Sequence, residues 1–303
     1  MSSYSSDERN SNSLSEELQN RLLLAVPKKG RLMEPSLQLL EKCGIKYSKK
    51  ARLDIAFSSN MNIAIVFLPA TDIGLYVSHG RVDMGITGQD NILESKAEVK
   101  ELVELGFGKC RLCVQVDVSS TVTDPRDLAG KRIVTSFTGL TTRYFETLNP
   151  DVMTDISFVS GSVEIACQLE LADAVVDLVE SGDTMRAAGL KEIAEILPSQ
   201  AVLISNPNSK RLKEIELIKR RVQGVVDAAK FVMVEYNVIR SKLSLVLQIT
   251  PGKNSPTLAP LENDEWLSVK ALIYRSETNT ILDQLQEIGA EAILIYDVQN
   301  CRV

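Results

Sequence analysis

Short aliphatic runs and stretches with helical spacing follow one another along most of this chain. Leu22–Val26 is a continuous apolar run and predicts a buried strand, which enters Pro27-Lys28-Lys29-Gly30-Arg31 and then a helix from about Glu34 to Cys43. Asn62–Leu68 predicts a second strand, Asp72–Gly80 a helix, and Val82–Thr87 a strand ending on Gly88-Gln89-Asp90. Val103–Val118 supplies two strand-like stretches separated by Gly108. After Pro125 the pattern begins again. Lys131–Ser136 reads as a strand, followed by a Thr/Gly loop and a helix from Thr141. Ile156–Val159 reads as a strand, then Ser160-Gly161-Ser162 and a helix to Leu171, then a strand opening at Ala172 with a helix starting near Met185. Val202–Ser205 is a further strand and Asn208–Ala229 a long amphipathic helix. Alternating strands and crossovers belong to parallel α/β sheets. Two such blocks predict two lobes, with the site where strand C-termini face the cleft.

The tail follows another plan. Phe231–Val238 predicts a strand, Arg240–Ile249 a helix, Thr257–Pro260 an extended segment, Trp266–Tyr274 a strand, Thr278–Ile288 a helix and Ala292–Asp297 a strand. That order, βαββαβ, is ferredoxin-like. The expected division is lobe I from 21–110 and 204–230, lobe II from 111–203, and a tail domain from 231–303. Residues 1–20 are rich in Ser, Asn and Glu and form an expected disordered leader.

Composition narrows the function classes. Of 303 residues, 44% are apolar and 24% charged, as in a soluble globular protein, and the net charge is −6. An acidic balance argues against a general nucleic-acid binder. No uncharged apolar run approaches the ~18 residues of a membrane helix. The leader lacks the apolar core of a signal peptide, so the expected location is cytoplasmic. Five cysteines, an odd number, fit a reducing compartment. Cys110 and Cys113 match C-x-x-C, but they lie in a strand pattern that points them to opposite faces. With no second pair and one histidine, His79, they read as two strand cysteines rather than a zinc or redox site. His79 is expected at the solvated end of a helix and carries no assigned role.

The most informative stretch is Ala172-Asp173-Ala174-Val175-Val176-Asp177-Leu178-Val179-Glu180-Ser181-Gly182-Asp183-Thr184. An apolar strand with two carboxylates runs into a Ser/Gly/Thr loop and a helix start. Exposed backbone amides beside the positive end of a helix suit a phosphate. The acids suit hydroxyls or a divalent cation. A ribose 5-phosphate group meets both needs, and an ordinary strand–turn–helix is the alternative. A Walker P-loop is disfavoured, since no GxxxxGK[ST] run exists. Lys28-Lys29-Gly30-Arg31 suits a polyphosphate, with a solvated turn as the alternative. Asp90 is a hydroxyl acceptor or a helix cap. Thr135-Ser136-Phe137-Thr138-Gly139 before Arg143, and Ser160-Gly161-Ser162 before Glu164, are weaker loops of the same placement.

Together, Val26-Pro-Lys-Lys-Gly-Arg-Leu32, Gly85-Ile-Thr-Gly88-Gln-Asp90, Phe107-Gly-Lys-Cys-Arg-Leu112, Ser160-Gly-Ser-Val-Glu164 and the Ala172–Thr184 run resemble ATP phosphoribosyltransferases. Thr250-Pro-Gly-Lys-Asn-Ser-Pro-Thr257 and the closing Asn300-Cys-Arg-Val303 resemble the long, self-regulated form, and fungal members most. The likeness runs in order from Arg21 to the end. It implies an α/β fold: a two-lobed catalytic core like periplasmic binding proteins, plus a C-terminal ferredoxin-like regulatory domain. It implies transfer of 5-phosphoribosyl from its 1-diphosphate to adenine nitrogen 1 of ATP, with Mg²⁺ carried mainly by the substrate diphosphate, as the first step of histidine biosynthesis. That nitrogen has a free lone pair, so no base must create the nucleophile. The need is alignment of two polyanions and stabilisation of departing pyrophosphate.

By the same resemblance Ser181, Gly182, Asp183 and Thr184 hold the 5-phosphate, with Glu180, Ser160 and Gly161 beside them. Asp173 and Asp177 face the ribose hydroxyls or the metal side, and with Lys28 and Lys29 they are the expected catalytic residues. Lys28, Lys29, Gly30, Arg31 and Asp90 fall to ATP or pyrophosphate, and which lysine matters is open. Some relatives place an arginine where this chain has Pro69, so that contact is absent or replaced by Arg52 or Arg81. The tail implies L-histidine inhibition through Asn237, Lys253, Ser255, Thr257, Leu272 and Ala292, with AMP as a further candidate effector. Asn237 stands where some relatives have aspartate, which removes a full charge. The implied assembly is a homohexamer in equilibrium with dimers. The competing reading is a non-catalytic two-lobed ligand-binding module.

Overall fold

The protein is described by a computed structural model over residues 17–49 and 53–302. The expected leader falls almost wholly outside the described residues, as does Arg52. The described residues form two compact units, one within 17–41 and 45–216 and the other within 42–44 and 217–302.

The first unit contains two sheets. Lobe I holds β1 (Leu22–Pro27), α1 (Met33–Lys42), β2 (Tyr47–Lys49), β3 (Ile55–Ser58), β4 (Ile63–Leu68), α2 (Ala70–Ser78), β5 (Met84–Gly88), α3 (Gln89–Ser95) and β6 (Lys100–Glu104). Lobe II holds β7 (Cys110–Asp117), β8 (Arg132–Thr135), α4 (Thr138–Leu148), β9 (Asp155–Phe158), β10 (Ala174–Val179), α5 (Asp183–Ala187) and β11 (Leu190–Ser199). The chain then returns to lobe I through β12 (Ala201–Ser205) and leaves it on α6 (Leu212–Ala228).

The first sheet has the order β2-β3-β4-β1-β5-β12-β6, with β1 parallel to β4 and β5. β1 lies at its centre with five of six residues buried, which is why it reads as an unbroken apolar run. The second sheet has the order β11-β7-β10-β8-β9, with β8, β9 and β10 mutually parallel. The segment that was expected to close lobe II at 203 ends differently: Ala201–Ser205 pairs with β5 and β6 of the first sheet. The long helix does not stay with lobe I, since residues from Leu217 onward belong to the second unit.

Three local expectations are corrected. No α-helix spans 163–171; Val163–Ile165 is a single 3-10 turn followed by further turns. Val163, Ala166 and Ala172 are buried, but Leu169 and Leu171 are 63% and 61% exposed, so a helix there would have little core to pack on. The helix expected from Thr141 begins at Thr138. β2, β3 and the ten-residue β11 were not anticipated.

The second unit contains β13 (Phe231–Ile239), α7 (Leu243–Ile249), β14 (Thr257–Pro260), β15 (Trp266–Tyr274), α8 (Thr278–Ile288) and β16 (Glu291–Asp297). Its antiparallel sheet has the order β14-β15-β13-β16, the ferredoxin-like arrangement expected. Val232, Val234, Tyr236, Val238, Val269 and Ala271 form one sheet face and pack with Val246, Ile281 and Leu285 of the helices.

Candidate active site

Parallel pairing brings the C-terminal ends of β8, β9 and β10 to one edge of lobe II. The loops beyond them are tied together. Thr135 Oγ1 donates to the Val176 carbonyl at 2.8 Å and accepts from the Phe137 amide at 2.9 Å. Ser136 Oγ donates to the Val159 carbonyl at 2.6 Å. The neighbouring loop 180–184 turns on Gly182, whose φ of +80° favours glycine. Ser181 Oγ donates to Asp183 at 2.6 Å, and Arg186 Nη2 donates to Asp183 at 2.6 Å and to the Ser181 carbonyl at 3.0 Å. The Ser181 hydroxyl and then the Arg186 guanidinium hold the Asp183 carboxyl below its usual range. Loop residues 178–185 and Arg31 of lobe I enclose a small cavity of about 160 Å³.

The two acids of the motif differ. Asp177, half-buried on β10, accepts from the Leu178 amide at 2.8 Å. Burial pushes its carboxyl up to about 6, with a further push from the charge of Glu164. Glu164 thereby joins this edge, together with the loop that carries Ser160 and Gly161. Asp173 stands apart. It precedes β10, at the end of the strand away from the Gly182 loop, and its carboxylate takes Arg132 at 3.0 Å, while the Arg132 amide donates to it at 3.0 Å. Those hydrogen bonds lower its pKa. The structure therefore does not bring Asp173 to the loop that holds the rest.

Across the cleft, Arg31 of the loop after β1 donates to the Gly108 carbonyl at 2.6 Å, to Glu180 at 3.3 Å and to Cys110 Sγ at 3.1 Å. It also lies 3.8 Å from Asp90. Asp90 is fully buried. Its Oδ1 accepts from Ser199 Oγ at 2.7 Å, and the same hydroxyl accepts from the Asp90 amide at 3.0 Å. Its Oδ2 is buried without a hydrogen bond. The carboxyl lies so close to Gly88 that any Cβ there would overlap Oδ1. Lys28 pairs with Asp54 at 3.6 Å, whereas Lys29 is exposed and has no charged partner among the described residues. Pro69 caps α2, and Arg81 lies beyond that helix's far end, so Arg81 is not beside Pro69.

A cleft that sets a cationic loop against a carboxylate-and-amide loop can be compared with known proteins. The family model described as ATP phosphoribosyltransferase matches residues 69–224, and the one described as HisG, C-terminal domain, matches 228–300. ATP phosphoribosyltransferase from Yarrowia lipolytica is 47% identical over 290 residues, covering 94% of this chain and 98% of that protein. The Saccharomyces cerevisiae protein of the same name is 45% identical with the same coverage. The chain belongs to the ATP phosphoribosyltransferase family. It is thus a pentosyltransferase, and the reading as a non-catalytic module is set aside. The ATP phosphoribosyl transferase of a HisG:HisZ complex from Thermotoga maritima superposes with a TM-score of 0.59 at 27% identity, covering 68% of this chain and 98% of that one. A putative L-cystine ABC transporter protein from Listeria monocytogenes shares the two-lobed fold at a TM-score of 0.50 and 13% identity, covering 69% and 92%.

In this phosphoribosyltransferase the tail candidates share one surface. Asn237 on β13 lies opposite Ser268, Thr257 on β14 opposite Lys270, and Leu272 on β15 opposite Met233. These positions alternate with the buried core residues, so they occupy the sheet face without helices. Ala292 sits at the irregularity where β16 pairs with Asn237, with a φ of +50°. Lys253 and Ser255 are exposed in the loop before β14.

Three residues that hold a predicted site residue or join the lobes escaped sequence reasoning. Ser199, the partner of Asp90, lies 109 positions away, Arg132 lies 41 before Asp173, and Glu94 reaches across the lobes. No local spacing signals such pairs.

Proposed function

We propose that the enzyme joins ATP to 5-phosphoribosyl 1-diphosphate, forming N1-(5-phosphoribosyl)-ATP and pyrophosphate, as the first step of L-histidine biosynthesis, under feedback inhibition by L-histidine. Adenine nitrogen 1 attacks the anomeric carbon. The bond from that carbon to the diphosphate oxygen breaks, and its electron pair leaves with pyrophosphate. The observation that carries this reading is the 3.3 Å approach of Arg31 to Glu180, which sets the loop suited to polyphosphate against the loop suited to a sugar phosphate.

In this scheme the amides and hydroxyls of Ser181, Gly182 and Thr184 receive the 5-phosphate, and Arg186 offsets the Asp183 charge within that loop. Asp177 in its ionised form accepts from a ribose hydroxyl; Asp173, held by Arg132, supports the strand instead. Arg31 and Lys29 face the departing pyrophosphate, with Arg31 able to bind two oxygens at once. Mg²⁺ is the expected metal, and when bound to the diphosphate it neutralises charge that builds on the leaving group. Among the described residues no three acidic, cysteine or histidine side chains gather to hold an ion. Asp177 with Glu164 nearby is the carboxylate pair available to reach one that arrives on the substrate. In the tail, Asn237, Thr257 and the loop of Lys253 and Ser255 are the proposed histidine contacts, and the assembly is a homohexamer in exchange with dimers.

Purified protein given ATP, phosphoribosyl diphosphate and Mg²⁺ tests the proposal. Product should appear as a change in absorbance of the substituted adenine ring, and added L-histidine should suppress it. Turnover unaffected by histidine would remove the regulatory half; no turnover with pure, folded protein would remove the whole.

A further inference from the structure

A dense contact between the two lobes lies outside the loops assigned to substrate. Glu94, in the last turn of α3, reaches into lobe II. Its Oε1 accepts from the Gly139 amide at 2.7 Å and its Oε2 from the Leu140 amide at 2.8 Å, while Thr138 Oγ1 donates to Oε1 at 3.4 Å. These are among the first amides of α4, which have no partner inside their own helix. In the other direction, Arg143 of α4 donates from Nη2 to the Leu93 carbonyl at 2.9 Å, near the C-terminal end of α3. An anion thus sits at the positive end of one helix and a cation at the negative end of the other, each the sign that the helix macrodipole favours. Glu94 grips mainly backbone, so this clasp reports where the helices lie.

The same short helix carries a second link between the lobes. Asp90 lies four residues before Glu94, and positions four apart lie on the same face of a helix. Asp90 faces Arg31 at 3.8 Å, and Arg31 touches Glu180 of lobe II at 3.3 Å. Lys96, with φ of +52°, stops α3 directly after Ser95, so no further turn of helix lies beyond the clasp. A change in the tilt of α3 against lobe II would therefore move Asp90 and Arg31 relative to Glu180.

The geometry points to Glu94 as a positioning residue for phosphoribosyl transfer: by holding the N-terminus of α4 it sets the orientation of α3, and through it the spacing of the Asp90–Arg31 pair from the loop at Glu180. This rests on the reading that the cleft between these lobes carries the reaction, and turnover by the unmodified enzyme in the same assay tests that reading separately.

The test is steady-state kinetics of the full chain with both substrates varied, together with amide hydrogen exchange. Glu94→Ala should lower kcat on the order of tenfold, the scale of one hydrogen bond to a charged group. KM should change much less, because no substrate contact is removed. Exchange at Gly139 and Leu140 should accelerate while β1 and β10 stay protected. Glu94→Gln keeps one acceptor oxygen and should recover part of the rate. Gly139→Ala disturbs the clasp from lobe II, because a Cβ there would meet the Glu94 oxygens at 3.2 and 3.3 Å. It should lower kcat by a smaller factor, and adding it to Glu94→Ala should cost little more. Faster exchange with kcat unchanged would reduce Glu94 to a helix cap and overturn the inference, as would losses that add in the double variant. If Glu94→Ala does not fold, Glu94→Gln and Gly139→Ala carry the test, and wild-type kcat in both overturns it.

Discussion

Replacing Asp177 with asparagine should make this enzyme slower and, at neutral pH, more stable. The Asp177 carboxyl titrates at about 6 in the folded chain against 3.8 for an unperturbed side chain, and the first cause is burial. The sign follows from proton counting. Between those two values the folded state holds a proton that the unfolded state has lost, so stability declines as pH rises through this window. Above pH 6 the full penalty stands. A difference of about two units, at 1.36 kcal/mol each, sets a ceiling of about 3 kcal/mol, and partial exposure reduces it to about 2. Asparagine retains an oxygen for the Leu178 amide and carries no charge to desolvate. Denaturant unfolding of both proteins at pH 8 should therefore favour the variant by about 2 kcal/mol, shrinking to under 1 kcal/mol at pH 4.5 and vanishing below 3.8. In the transferase assay the variant should lose on the order of a hundredfold in kcat/KM if its carboxylate receives a ribose hydroxyl. The wild-type rate should fall as pH drops through 6. A variant that is less stable than wild type at pH 8 would refute the burial account, and one with unchanged kcat/KM would refute the substrate role.

The cationic loop yields a comparison: Lys29→Ala should raise KM for ATP or phosphoribosyl diphosphate more than Lys28→Ala, whose charge is already engaged by Asp54; equal effects would deny the distinction. Arg31→Lys keeps a charge but cannot span Gly108, Glu180 and Cys110 with one planar group, so kcat/KM should fall on the order of tenfold or more, read from initial rates. Ser199→Ala removes the hydroxyl bonded to buried Asp90 and should cost about 1–3 kcal/mol in denaturant unfolding. In the tail, Thr257→Val should raise the histidine concentration needed for half inhibition and leave uninhibited turnover intact; unchanged inhibition would move the effector site elsewhere.

The parts of this fold that could be read from sequence are those whose burial is one-sided or complete. β1 and β4 are unbroken apolar runs, and β10 is broken only by Asp177, because helices or neighbouring elements cover them; β13 and β15 alternate because one face meets the tail helices. β11 was missed for a physical reason: Leu190-Lys-Glu-Ile-Ala-Glu-Ile-Leu-Pro-Ser199 is an edge strand with two register shifts against β7, so its alternation breaks twice. β2 and β3 are too short to show a period. The segment 163–171 has helical spacing, yet its last two leucines stay exposed, and local propensity yielded to the lack of a core. At the site, Gly182, Asp177 and Arg31 stood out because their chemistry is written in consecutive residues. Ser199, Arg132 and Glu94 act through contacts spanning tens of residues, which only the folded chain creates.

Among the described residues the backbone crosses between the two sheets twice, after Glu104 and at Gln200, and the crossings run side by side: the Leu105 amide donates to the Ala201 carbonyl at 2.9 Å, and the Ala201 amide to the Phe107 carbonyl at 3.1 Å. Segment 105–200 is therefore a continuous insert whose two ends meet, stitched into a host built from the flanking sequence. Such a segment can be excised at one place without cutting through a strand partner, and adjoining ends are what circular permutation and grafting require. Lobe II should then be a portable module, open to expression by itself and to transplantation into a related host.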